Sequence, residues 1–198
     1  MSTMRSLLKL AAKLCLWGVA ALLLPMFVVW VLAANEDIVA AEDTIDLPGG
    51  PVDAVIIPGA RVFSSGRPSG ALLDRILIAE AIVVSGQSNL VFASGAPGEP
   101  EVIAENLPGI EVVLDLEGLS TSDTCRNAAE AGFGRVAIAT QLRHKNRTAV
   151  LCEAFGLDPV VVTAAAATNE RLSRAPWRFV RERLAEGWAL VIVTRELF

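Results

Sequence analysis

An uncharged run from Leu14 to Ala34, preceded by Arg5, Lys9 and Lys13 and followed by Glu36 and Asp37, leaves the start of this chain few choices of structure. Backbone polar groups in so apolar a stretch must be satisfied within the segment, which a helix achieves and a loop does not. At ~1.5 Å per residue the run covers ~30 Å, the thickness of a bilayer's hydrocarbon core. It reads as one transmembrane helix, and the cations before it place the N-terminus in the cytoplasm with the rest of the chain facing outward. The expected localisation is the cytoplasmic (inner) membrane, single-pass. The rival is a signal peptide cleaved before Ala34, since Val31-Leu32-Ala33 is a tolerable cleavage site, but the run exceeds the ~7–15 residues of an ordinary h-region. The domain is exported on either reading. Trp17 and Trp30 suit the two interfaces, and Pro25 suits a kink.

Beyond the anchor about 160 residues remain, enough for one domain and too few for two comfortable ones. All 22 acidic residues and 14 of the 17 bases lie past residue 34, so the exported part carries −8 and is poorly suited to nucleic acid. Arg171, Arg174, Arg178, Arg181 and Arg183 break the acidic trend near the end; a solvated helix face explains them more simply than anionic headgroups. Cys15 falls in the apolar run. Cys125 and Cys152 each fall on an apolar or small-residue face of an expected helix, which suits buried free thiols better than a disulfide. With a single histidine and no Cys-x-x-Cys pair, no metal-ligand spacing is present.

The segment 1–13 is the basic lead, 14–34 the anchor, 35–51 an acidic linker ending in Leu-Pro-Gly-Gly-Pro, and 52–198 the domain. Short apolar runs over 53–60, 89–94, 111–114, 135–140 and 160–163 read as buried strands. Between them lie expected helices over 70–84 with Ser69 as cap, 99–107, 123–131 and 143–155. Ala164 to Ala167 read as a loop or frayed turn. This alternation predicts an α/β fold, a three-layer Rossmann-like mostly parallel sheet with helices on both faces. Ligands of such sheets bind beyond the carboxyl ends of the strands.

That rule selects the candidate site. Gly59, Arg61, Ser69, Arg75, Ser94, Gly95, Glu99, Thr124, Asn127 and Thr140 each follow a strand or open the next helix, and together they suit an anionic, oxygen-rich ligand. His144 and Arg147, three apart on one helix, share a face and can grip one anionic group, with His144 as general acid or base and Arg147 as a phosphate clamp. No nucleophile paired to a base emerges from spacing.

The order Asp53-x-x-Ile-Ile-x-Gly-Ala, Gly66-Arg67-Pro68-Ser69-x-x-Leu72-x-x-Arg75, Ser94-Gly95, Glu99-Pro100, Asp115-x-x-Gly118-x-x-Thr121-x-Asp123-Thr124 and Thr140-Gln141-x-x-His144-x-x-Arg147 resembles the SanA/YdcF family, on its SanA-like branch. Arg181-Glu182-x-Leu184-Ala185 is similar to that branch's last helix. Ala96 and Ser120 depart from the pattern, where the family usually shows glycine or a polar residue and an arginine respectively. The resemblance implies a membrane-anchored protein that supports the cell-envelope barrier, acting on or binding a phosphorylated peptidoglycan precursor or lipid carrier. Its implied partners are the membrane and an anionic or phosphorylated small molecule or lipid-linked ligand. Other classes of reading are a non-catalytic domain for a nucleotide-like ligand of the S-adenosylmethionine type, and a membrane scaffold without a working site; the cofactor is unknown.

Overall fold

In the computed structural model, which describes residues 2–35, 37–40, 46–163 and 176–197, six strands form one sheet with every pairing parallel. The strands are β1 (Asp37–Ala40), β2 (Ala54–Pro58), β3 (Leu90–Ser94), β4 (Glu111–Asp115), β5 (Arg135–Thr140) and β6 (Asp158–Thr163). The helices are α1 (Ser2–Leu32), α2 (Gly70–Val84), α3 (Glu99–Glu105), α4 (Thr121–Glu130), α5 (Lys145–Ala154) and α6 (Pro176–Leu197), with a short 3-10 turn at Leu142–His144.

Strand order across the sheet is β1-β6-β5-β2-β3-β4. The chain winds one way from β2 through β3 to β4, then returns to build β5 and β6 on the other side of β2, where β6 pairs with β1, the first strand of the chain. The order therefore reverses between β2 and β5, and a crevice opens beyond their carboxyl ends. Alternate strand residues face opposite layers. Val55, Ile57, Val91, Ala93, Ala137 and Ala139 pack with α2 and α3. Ala54, Ile56, Phe92, Val136 and Ile138 pack with α4, α5, α6 and the end of α1. These strands are buried on both faces, which is why they read as unbroken apolar runs.

Two expectations are corrected. The acidic linker over 35–51 contains β1, which pairs with β6 from Asp37↔Val160 to Ala40↔Thr163. Cys125 and Cys152 are a disulfide, not free thiols, joining α4 to α5 across 27 residues. Both cysteines are buried, as expected, but each is the other's neighbour because the two helices lie side by side on one face.

α1 contains the apolar run up to Leu32, a 3-10 turn over Ala33–Asn35 follows, and this end of the run is not free of the domain. Val29 and Ala33 are buried against Val150, Leu151, Cys152, Ala189 and Val193, while Trp17, Phe27 and Trp30 are exposed. Among the described residues no helix is long and apolar enough to cross a membrane; the side chains of Cys15, Leu16 and Leu22, within the run, lie outside that description. Residues 164–175, including Ala164 to Ala167, Arg171 and Arg174, and the side chains of Arg178, Arg181 and Arg183 also lie outside it.

Candidate functional site

At the switch point between β2 and β5 lies a cleft of about 860 Å³. Of the residues expected from sequence, Gly59, Arg61, Ser69, Arg75, Glu99, Thr124, Thr140, His144 and Arg147 line it. Ser94, Gly95 and Asn127 do not line it. Arg143, Gln141, Ser120 and Thr121 also line the cleft and are not among the site residues expected from sequence.

His144 caps α5, and both of its ring nitrogens meet arginines. Arg143 Nε donates to His144 Nε2 at 2.9 Å, and Arg147 Nη2 lies 3.3 Å from Nδ1. A ring nitrogen accepts such a bond only through its lone pair, and a neutral imidazole has one of these, so the ring serves one arginine at a time. Arg61, on the loop after β2, is exposed and lies over the Phe63 ring, 5.3 Å from its centre. Three guanidinium groups and the amino end of α4 thus face one volume, and planar forks of this kind match phosphate oxygens in pairs.

Arg75 has a different part from the one expected. Its side chain is buried, with Nη1 donating to the carbonyl oxygens of Pro58 at 2.5 Å and Gly59 at 2.9 Å, while Nη2 donates to Gln141 Oε1. Gln141 in turn donates to the Ala71 carbonyl at 2.8 Å. The guanidinium thereby fixes the loops after β2 and β5, and its Nε is buried without an acceptor among the described residues. Burial, followed by repulsion from Arg143, lowers the Arg75 pKa from the usual guanidinium range to about 10, with Glu99 opposing the shift. Ser69 is likewise occupied locally: its Oγ accepts from Leu72 N at 3.4 Å as the cap of α2.

Glu99 brings a carboxylate to the same cleft. Its Oε2 accepts from Ala96 N at 3.2 Å and sits in the notch between Gly59 and Gly95. A Cβ on Gly59 would fall 2.9 Å from the Gly95 Cα and closer still to that oxygen, so the missing side chain is what admits the carboxylate.

Behind the cleft, Ser94, Asp115, Thr124 and Asn127 form a closed network. Ser94 Oγ donates to Asp115 Oδ2 at 2.6 Å and meets Thr124 Oγ1 at 2.7 Å, while Asp115 Oδ1 accepts from Asn127 Nδ2 at 2.9 Å and Glu117 N at 3.0 Å. Ser94 is fully buried, so its hydroxyl braces β3 and β4 against α4 and offers no exposed nucleophile. α4 starts at Thr121, two residues before the start expected from sequence, and Ser120 caps it, accepting from Asp123 N at 3.3 Å and donating to Asp123 Oδ2 at 2.7 Å. Among the described residues no group of three or more His, Cys, Asp or Glu is placed to hold a metal.

Comparison of the chain with protein-family models, with curated proteins and with solved structures gives no match. The site therefore has to be interpreted from its own chemistry.

Proposed function

We propose that this domain binds a phosphorylated, hydroxyl-bearing ligand in the cleft between β2 and β5, and that α1 anchors it at the outer face of the cytoplasmic membrane. The observation that carries the ligand class is that Arg61, Arg143 and Arg147 line one cleft together with the carboxylate of Glu99. Arginine forks suit phosphate oxygens, and a carboxylate held by Ala96 N accepts from sugar hydroxyls. The disulfide supports export, because such bonds persist in oxidising compartments. The resemblance to the SanA/YdcF family agrees with both parts and extends them to the cell envelope, where phosphorylated peptidoglycan precursors and lipid carriers have this chemistry.

A nucleotide-like ligand is the second reading, favoured by Glu99 standing beyond the end of β3, where an acidic residue can accept from ribose hydroxyls. Whether the domain also turns its ligand over depends on His144, the chain's single histidine, whose imidazole is the side chain suited to passing a proton.

The test is calorimetric titration of the full chain in detergent with a panel of sugar phosphates, nucleotides and inorganic phosphate, alongside mass analysis of anything that copurifies. Arg147→Ala should weaken binding of the accepted phosphate by about ten- to a hundredfold, as expected for loss of charge-assisted bonds. Equal affinity in the variant would remove the arginines from the function. A preference for a ligand without phosphate would replace the proposed class.

A further inference from the structure

The course of α1 and the loops around the cleft point to one side of the molecule. α5 links the end of β5 to the start of β6, so it begins at the carboxyl edge of the sheet and ends at the amino edge. Met26, Phe27 and Trp30 of α1 share a cavity of about 420 Å³ with Asn146, in the first turn of α5. Ala33 is buried in the cluster that holds Leu151, Cys152 and Leu157, farther toward the amino edge, and the chain then enters β1. α1 therefore runs in the same sense as α5, and its residues before Met26 extend past the carboxyl edge. Leu14, Trp17, Val19, Leu23 and Leu24, all exposed, lie on this projecting part.

The loops of that same edge also expose large apolar side chains. Phe63 follows β2, Leu116 and Leu119 follow β4, and Leu142 follows β5; their exposures are 43%, 42%, 71% and 51%. Arg61, Arg67 and Arg143 are exposed among them, against Glu117. At the opposite edge, apart from the end of α1, Val84 is the large apolar side chain exposed among the described residues.

We propose that the carboxyl edge of the sheet is seated on the surface of the anionic bilayer that α1 enters, with Phe63, Leu116, Leu119 and Leu142 in the headgroup layer, Arg67 facing lipid phosphates, and Arg61 and Arg143 kept for the ligand in the cleft. Apolar side chains interleaved with arginine are the composition that holds a peripheral surface on anionic lipid. The cleft opens at this edge, so its ligand arrives along the membrane. The inference rests on the anchoring reading, and the two fail differently.

Hydrogen exchange of the full chain, in phosphatidylglycerol-containing nanodiscs and in detergent, tests the seating. Amides of 62–67, 116–120 and 142–144 should exchange about tenfold slower in the disc, while 85–88 and 132–134 at the opposite edge stay unchanged. The double variant L119D/L142D, altered only at exposed positions, should lose that protection and keep the reference rates. Equal rates in disc and detergent, protection at the opposite edge, or protection that survives L119D/L142D would overturn the seating and leave the anchor standing. If alkaline carbonate strips the full chain from native membranes, the anchor falls and the seating with it.

Discussion

Arg75 donates to Gln141 Oε1 across the floor of the cleft, tying α2 to the loop that carries Arg143 and His144. Its other terminal nitrogen holds the carbonyl oxygens of Pro58 and Gly59, so one buried cation sets the spacing of the two loops at the switch point. The electrostatics oppose the charge: burial and Arg143 lower its pKa to about 10, and the three oxygens offset that cost. A base with a depressed folded pKa gains stability only as pH rises through that value. Below about pH 10 Arg75 is charged in both states and adds no pH dependence.

Removing it leaves buried acceptors without a donor, a loss of about 3–5 kcal/mol when a buried charge network is broken from one side. Arg75→Ala should lower the thermal midpoint of the full chain by about 5–10 °C, and Arg75→Lys by nearly as much, because an ammonium does not reproduce the planar fork. A lysine variant that melts like the parent would show that charge alone suffices.

The alternation of apolar runs and helices made the central sheet legible, and with it the carboxyl edge where the cleft lies. What the sequence concealed depends on contacts between distant segments. β1 is a four-residue run, Asp-Ile-Val-Ala, in acidic surroundings and becomes a strand only through pairing with β6. The Cys125–Cys152 bond follows from α4 lying beside α5, which spacing does not encode. Arg75 lines the cleft and Ser94 lies beside Thr124 of its wall, but residue type alone does not reveal that one holds backbone carbonyls and the other a buried carboxylate.

Glycine at 59 and 118 makes a sharper test of the packing behind the cleft. A Cβ at Gly59 meets backbone, the Gly95 Cα at 2.9 Å and the Ser94 carbonyl oxygen at 3.1 Å, in addition to Glu99. At Gly118 the obstacles are side chains, Ser94 Oγ and Asp115 Oδ2, the latter at 2.6 Å. Both alanine variants should lose about 1–3 kcal/mol as overpacked sites do. Only G118A should recover on adding S94A, which removes the hydroxyl it strikes; G59A should not recover in that background. Denaturant unfolding of the four proteins reads the coupling directly.

The disulfide predicts a thiol count. Under denaturing, non-reducing conditions the native protein should take up one maleimide, on Cys15, and three after reduction. Closing a loop of 27 residues contributes about 3–4 kcal/mol by restricting the unfolded chain, so C125A/C152A should melt several degrees lower. Three reactive thiols in protein isolated without reductant would count against the bond and against an oxidising location.

His144 distinguishes a binding module from an enzyme. Its ring lies between Arg143 and Arg147, at 2.9 and 3.3 Å, so it can accept from either arginine in turn and stands where a phosphorylated ligand would be held. Glutamine at 144 can still accept an arginine N–H but cannot carry a proton near neutral pH. If the site only binds, His144→Gln should keep ligand affinity within about threefold and complement an envelope-integrity defect, since a hydrogen-bond acceptor is all that is required. If proton transfer at His144 is part of the function, the same variant should bind equally well yet fail to complement, with turnover reduced by about 10²–10⁴. Arg147→Lys should fail under both, because an ammonium does not present the two-pronged face that a phosphate engages. Full complementation by His144→Ala and Arg147→Ala at native expression would remove the cleft from the protein's function and favour a scaffold at the membrane.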